Sequence, residues 1–220
     1  MRAKITYKSH ASNPDYFVLC DQGVLRVVQE DTVSDFAIGE FVQVSGKTRA
    51  GVMHADAIFP VASEDEVAVS READAWLSSL LSVQEPGVLV DSPVLRALSG
   101  TFKNAALFIQ SAVAQMQPIL VRFDDDADGI TSALYLHALV EHAVHAQKLP
   151  YPKTFFRAFQ SEAPIFEKKH LQHLEQEAAD FAKKPLIVLL DHGGNPESVP
   201  ALADAKKAGF SLMLVDHHPP

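Results

Sequence analysis

The sequence predicts an α/β domain built on a parallel sheet, preceded by a small all-β barrel and a linking helix. Three observations carry this expectation. Residues 1–61 contain short β-rich runs broken by turn signals, residues 62–83 show helical spacing, and from residue 118 apolar strand-like runs alternate with helical ones. The expected organisation is therefore a β domain over 1–61, a linking helix and loop over 62–93, and an α/β domain over 94–220.

In the first segment KITYK, DYFVLCD, VLRVVQ after the turn at Gly23, FVQVSGK after Gly39 and DAIFPV read as short strands of a closed sheet. Ser63 is a plausible N-cap, Glu64 to Glu66 fill a first helical turn, and Val67, Ala73, Trp76, Leu77, Leu80 and Leu81 recur at roughly helical spacing. Pro86-Gly87 and Ser92-Pro93 punctuate the next stretch, and a helix over about 94–116 leads into PILVRF. Beyond it come helix ITSALYLHALVEHAVHA, strand TFFRAF, helix FEKKHLQHLEQEAADFA, strand LIVLLD, helix SVPALADAKKAG and strand SLMLVD. Apolar strands alternating with helices imply a parallel sheet covered on both faces.

The 220 residues, 47% hydrophobic, suffice for a sizeable core in one large domain or two small ones. No stretch resembles a targeting segment or a membrane span, and the single cysteine, Cys20, allows no internal disulfide; a cytoplasmic, reducing setting and a core role for Cys20 are expected. The net charge of −9 argues against a surface that grips nucleic acid everywhere. Its distribution softens that objection. There are 6 basic and 7 acidic residues in 1–60, 2 and 7 in 61–100, and 11 and 14 in 101–220. Six acids of the last segment belong to three motifs of metal-ligand type, and two divalent ions there more than cancel its deficit.

Those motifs fall at the carboxyl ends of predicted strands, the edge where such sheets bind ligands. Asp124-Asp125-Asp126-Ala127-Asp128-Gly129 comes after PILVRF, Asp191-His192-Gly193-Gly194 ends LIVLLD, and Asp216-His217-His218-Pro219 ends SLMLVD. Asp124, Asp126 and Asp128 repel one another unless a hard cation sits among them. The spacing is not that of a calcium-binding EF-hand, because Tyr135 stands where that loop needs its final Glu. Taken alone, the first motif reads equally as a solvated acidic turn capping a helix, and an isolated His pair as a polar turn before prolines. Together, Asp and His groups on three strand ends suit borderline divalent ions such as Mn²⁺. They could hold two metals roughly 3.5–4 Å apart that activate water and stabilise phosphoryl charge.

Strand–DDDADG–helix, LIVLLDHGG and LMLVDHHPP resemble motifs I, II and III of the DHH phosphoesterase family, which includes RecJ-type single-strand exonucleases. The resemblance covers roughly residues 90–220, and SPVLRAL with PILVRFDDDADG is similar to archaeal RecJ-like members in particular. It implies that Asp124, Asp126 and Asp128 supply motif I carboxylates, that Asp191 bridges or binds metal, and that His217 is a ligand. It further implies that His218 contacts the scissile phosphate or completes the metal shell, while Asp216 orients the histidines from behind. The chain departs from the pattern in two ways. Phe123 and Asp124 stand where archaeal relatives often have a His pair before DADG, a form closer to the bacterial one. The family's fourth motif, with its further Asp, and its DHHA1 domain are absent from the 220 residues, so the chain is expected to be the N-terminal part of a longer enzyme.

With that resemblance the first 61 residues resemble an OB-fold, a common binder of single strands. Tyr7, Tyr16, Phe17, Phe36, Phe41 and Phe59 are available for stacking, although a tiny barrel needs most of them inside. Lys8, Arg26, Lys47 and Arg49 could meet phosphates, Lys47 and Arg49 being the better candidates. Phe155, Phe156, Arg157 and Phe159 read as a buried strand. His137, His142, His145, His170 and His173 read as surface or packing residues.

The function expected is a Mn²⁺- or Mg²⁺-dependent phosphodiesterase, with two ions per complete site, acting as a RecJ-like exonuclease on single-stranded DNA or RNA. Replication or repair proteins are its possible partners, and no membrane is involved. The alternatives are a DHH hydrolase of small phosphate compounds, such as a cyclic dinucleotide or nano-oligonucleotide, and a non-catalytic nucleic-acid-binding scaffold.

Overall fold

The computed structural model describes residues 1–9, 14–29, 35–80, 92–147, 149, 155–179 and 181–218. The turn expected at Pro86-Gly87, the start of the TFFRAF strand at Thr154 and Pro219-Pro220 lie outside them. The chain divides into two compact units, Met1–Met116 and Gln117–Pro220. Among the described residues no helix is long and apolar enough to cross a membrane.

The first unit is a closed five-stranded barrel with helices. Its strands are β1 (Arg2–Lys8), β2 (Tyr16–Cys20), β3 (Gly23–Gln29), β4 (Phe41–Arg49) and β5 (Val52–Pro60), paired in the order β1-β2-β3-β5-β4 with β4 returning to β1. Every neighbour is antiparallel except β3 and β5, an arrangement consistent with an OB-like barrel. Alternate side chains fill the interior: Ala3, Ile5, Tyr16, Val18, Cys20, Val27, Val42, Val44 and Ile58. The Cys20 thiol donates to the Gly23 carbonyl at 3.3 Å, so it is the core residue expected.

Helix α1 (Ser63–Leu80) packs on this barrel through Ala73, Trp76 and Leu77, which meet Leu19, Val24 and Ala114. The helix expected over 94–116 is broken at Leu98 (φ −88°, ψ −2°) into α2 (Pro93–Ala97) and α3 (Ser99–Ala114). Pro93 is pre-set for a first helical turn, so α2 starts where the sequence places it. The first compact unit extends to Met116, with Ala114 at the end of α3 buried against the barrel and α1.

The second unit is a four-stranded parallel sheet in the order β7-β6-β8-β9. Its elements are β6 (Ile119–Asp124), α4 (Ala127–Ala146), β7 (Phe156–Ser161), α5 (Lys168–Ala178), β8 (Leu186–Leu190), a 3-10 turn (Pro196–Ser198), α6 (Val199–Lys207) and β9 (Ser211–Val215). The chain steps from β6 to one side and then returns to lay β8 on the other. The strand order therefore reverses between β6 and β8, and a crevice opens there at the carboxyl edge. Leu120, Ile187 and Leu189 face α5 and α6, where Phe166, Leu171, Leu174, Ala201 and Ala205 complete the core.

Candidate metal centre

Strand register builds the site. Phe123 pairs with Leu190 and Leu190 with Val215, so Asp124, Asp191 and Asp216, each one step further on, stand in one row. Neighbouring parallel strands are about 4.8 Å apart, which brings the first two carboxylates together across the crevice.

The turn after β6 supplies two more. Asp126 is the extended N-cap of α4, and its Oδ1 accepts the Gly129 amide at 3.0 Å. That hydrogen bond is the main reason its carboxyl sits below the usual carboxylate range. Asp128 lies in the first turn, where the helix dipole also favours negative charge. Gly129 is required by space: a Cβ there would lie 2.4 Å from the Asp124 carbonyl oxygen.

Asp191 is the anomaly of the edge. It takes a left-handed φ of 54°, which a non-glycine residue holds only when its surroundings impose it, and its amide donates to the Val215 carbonyl at 2.8 Å. The residue is 5% exposed, yet neither Oδ1 nor Oδ2 accepts a hydrogen bond among the described residues. The His217 Nε2 at 3.1 Å and the His218 Nδ1 at 3.5 Å approach Oδ1 without hydrogen-bonding orientation. Burial, then the charges of Asp128 and Asp126, push this carboxyl above its ordinary range. A buried carboxylate that accepts no hydrogen bond among the described residues and stands beside like charges, together with the donor set around it, fits a divalent metal.

Asp216 is its opposite. Its side chain is 2% exposed, and it accepts the Gly194 amide at 2.6 Å, the His218 amide at 2.9 Å and the His218 Nδ1 at 2.7 Å. Burial alone would raise its pKa, but these donors outweigh it and hold the carboxyl below its ordinary value. The same bond raises the His218 pKa and assigns the proton to Nδ1, leaving Nε2 as the outward ligand atom or donor. Gly194 has no room for a side chain, since a Cβ would meet Asp216 Oδ2 at 2.6 Å.

Two sets of possible ligands result: Asp124, Asp126 and Asp191, and Asp191, His217 and His218, each with ligand atoms within 4.8 Å of one another. Asp191 belongs to both. Asp128 Oδ2 stands 3.2 Å from His217 Nε2, so every metal candidate of the sequence converges here, with Asp216 behind. His192, part of the second motif, does not join them. It is fully buried and packs its ring against Phe166 at 6.0 Å and His170 at 5.5 Å, and burial first of all holds its pKa at about 4.

Lys47 and Arg49, in the first unit, alternate on β4 beside the hairpin at Ala50-Gly51 and are exposed; neither has an ion-pair partner among the described residues. Lys8 and Arg26 are engaged by Asp35 and Asp15. Of the stacking candidates, Tyr16 and Phe17 are buried and Phe59 is 59% exposed, because barrel closure turns alternate residues inward. Sequence reasoning missed Arg122, a buried cation on β6; the signal available was a lone charge inside an apolar parallel strand.

Residues 118–220 match the DHH family, N-terminal domain, whose members are generally metal-dependent phosphoesterases. The acidic cluster lies within the matched residues, and its ligand atoms are spaced so that they could hold a divalent metal. Over 142 residues the chain is 32% identical to the uncharacterized protein MJ1198 of Methanocaldococcus jannaschii, covering 60% of this chain and 18% of that protein. It is also similar to a solved structure described as "Member of s1p family of ribosomal proteins PF0399 DHH domain", with a TM-score of 0.66 and 28% identity over 72% of this chain and 38% of that one. The chain therefore spans well under half of either relative.

Proposed function

We propose that these residues form the metal-binding part of a RecJ-like exonuclease that hydrolyses phosphodiester bonds of single-stranded nucleic acid with Mn²⁺ or Mg²⁺. The observation that carries this reading is Asp191, a buried carboxylate whose oxygens accept no hydrogen bond among the described residues and which is shared by two ligand sets. In it Asp124, Asp126 and Asp191 hold one ion, and Asp191, His217 and His218 hold the other, with Asp128 beside His217. When bound, the ions supply water activation and stabilise charge on the phosphoryl oxygens. Asp216 keeps the His218 proton on Nδ1 and directs Nε2 toward the ligand shell or the scissile phosphate. The exposed Lys47 and Arg49 of the OB-like barrel take the strand's phosphates. The solved relative's place among ribosomal proteins puts RNA beside DNA as a substrate to test. Proposed partners are replication or repair proteins in the cytoplasm.

The test is Mn²⁺-dependent degradation of end-labelled single-stranded DNA and RNA by the longest chain containing these residues, with a cyclic dinucleotide as competitor. Cleavage of polymer that requires both metal and Asp191 is the expected result. Preferential hydrolysis of the dinucleotide assigns the site to small phosphate compounds, and strand binding without metal-dependent hydrolysis makes the protein a scaffold.

A further inference from the structure

The second unit contains a cationic cavity that the metal centre does not use. Arg122 lies on β6 after the buried Val121 and is itself 7% exposed. Its Nε donates to Ser161 Oγ at 3.0 Å and its Nη2 to the Gln160 carbonyl at 3.1 Å. Both acceptors are neutral. Among the described residues no carboxylate lies within ion-pair distance of the guanidinium, and Nη1 donates to no protein group. A desolvated cation facing only dipoles is costly, and folded proteins normally place an anion against it.

The surroundings repeat the message. Arg122, Phe159, Gln160, Lys169, His170 and His173 line an open cavity of about 360 Å³ on the α5 side of the sheet. Among the described residues no acidic side chain lines it. The nearby acids are otherwise engaged: Glu177 binds Arg157 and lies 3.8 Å from His173, and Glu167 binds Lys169 at 2.6 Å at the rim. His173 packs its ring edge-on to Phe159 at 4.7 Å, and its buried Nδ1 has no hydrogen-bond partner among the described residues. His170 uses Nδ1 to accept the Glu167 amide at 3.1 Å, which anchors the start of α5 beside the cavity.

We propose that this cavity is a phosphate-binding site, in which the free edge of the Arg122 guanidinium takes two oxygens of a phosphomonoester. Lys169 turns from Glu167 to close over the group. The His173 Nδ1 supplies a further polar contact, and Phe159 offers an aromatic wall to whatever the phosphate is attached to. A planar guanidinium with two uncommitted donors on one nitrogen matches a phosphate better than a halide or a single carbonyl. The cavity exceeds a bare phosphate in size, so the phosphorylated end of a larger molecule, such as a nucleotide, can enter. This site is separate from the metal ligands and needs no ion.

Thermal unfolding and calorimetry of the metal-free protein in EDTA test it, with inorganic phosphate, a nucleoside 5′-monophosphate, and an oligonucleotide with and without a 5′-phosphate as probes. Phosphate and the monophosphate are expected to raise Tm by several degrees, and the phosphorylated oligonucleotide to bind at least tenfold tighter than its unphosphorylated twin. Arg122→Met abolishes the response, Lys169→Ala weakens binding about tenfold, and Asp191→Ala leaves it intact. Should Arg122→Met fail to fold, Lys169→Ala carries the same comparison on an exposed position. A native protein whose Tm ignores phosphate, or an Arg122→Met protein that still responds, overturns the proposal. An equal response from the unphosphorylated oligonucleotide overturns the monoester assignment. A response lost in Asp191→Ala moves the anion to the metal centre and overturns the separate site.

Discussion

Asp191 and Asp216 end adjacent strands, stand in one row and are both buried, yet they have opposite chemistry. Asp216 is surrounded by donors: the amides of Gly194 and His218 and the His218 ring saturate it, and its carboxyl is held below its ordinary pKa. Among the described residues Asp191 receives no hydrogen bond; it faces Asp126 and Asp128 and is pushed above its ordinary pKa. The protein saturates one carboxylate with its own donors and gives the other no hydrogen bond among the described residues. A satisfied buried charge builds structure, whereas an unsatisfied one marks where a ligand belongs.

The largest expected effect separates the two in function. Asp191→Ala removes the residue common to both ligand sets, and metal-dependent cleavage should fall on the order of 10³-fold or more, read as initial rates at saturating Mn²⁺. Retention of full activity would remove Asp191 from the site.

The stability of the metal-free protein should split in sign. Asp191→Asn deletes an unpartnered buried charge and should leave stability unchanged or raise it by about 1–2 kcal/mol, while Asp216→Asn disrupts a saturated hydrogen-bond set and should cost about 1–3 kcal/mol. The directions of the pKa shifts set the pH dependence. Asp216, lowered in the fold, contributes stability above the unfolded carboxylate pKa that is lost as pH falls through its folded value, so the deficit of Asp216→Asn shrinks in acid. Asp191, raised in the fold, gives the native protein stability as pH falls through its folded value toward the unfolded one, so the advantage of Asp191→Asn also vanishes in acid. Denaturant titrations at several pH values in EDTA check both; equal effects of the two variants would erase the distinction.

Gly194→Ala sharpens the comparison from the loop side. Its Cβ would displace the Asp216 carboxylate, which supplies its nearest contacts. Activity should fall roughly 10-fold to 100-fold, the range for a disturbed partner behind a ligand, with Mn²⁺ affinity falling less than in Asp191→Ala. The smallest effect belongs to the barrel. Lys47→Ala and Arg49→Ala should each lower the slope of strand affinity against salt by about 1, with stability changing by no more than about 0.5 kcal/mol. An unchanged salt slope would take these residues out of the strand's path.

Much of the second unit is legible in the sequence. Its order of strands and helices comes from apolar periodicity, and PILVRF, LIVLL and SLMLV end beside ligand-type residues because strands of a parallel sheet all point their carboxyl ends one way. The break at Leu98 is not legible, since 94–116 has helical composition on both sides of it. The assignment of Ala114 to the barrel's unit requires a contact distant in sequence. Arg122 looks like one charge in a strand; its isolation from every described carboxylate is a property of its neighbours in space.

By itself, the sequence determined which residue types stand at which strand ends, because chain periodicity and turn chemistry are local. It also determined that Gly129 and Gly194 are available where close approach is needed. Only the tertiary structure decided which carboxylate is satisfied and which is bare. The register of β8 with β9, the Asp191 amide on the Val215 carbonyl and the Gly194 amide on Asp216 join residues 22 to 25 positions apart, and desolvation has no local sequence signal.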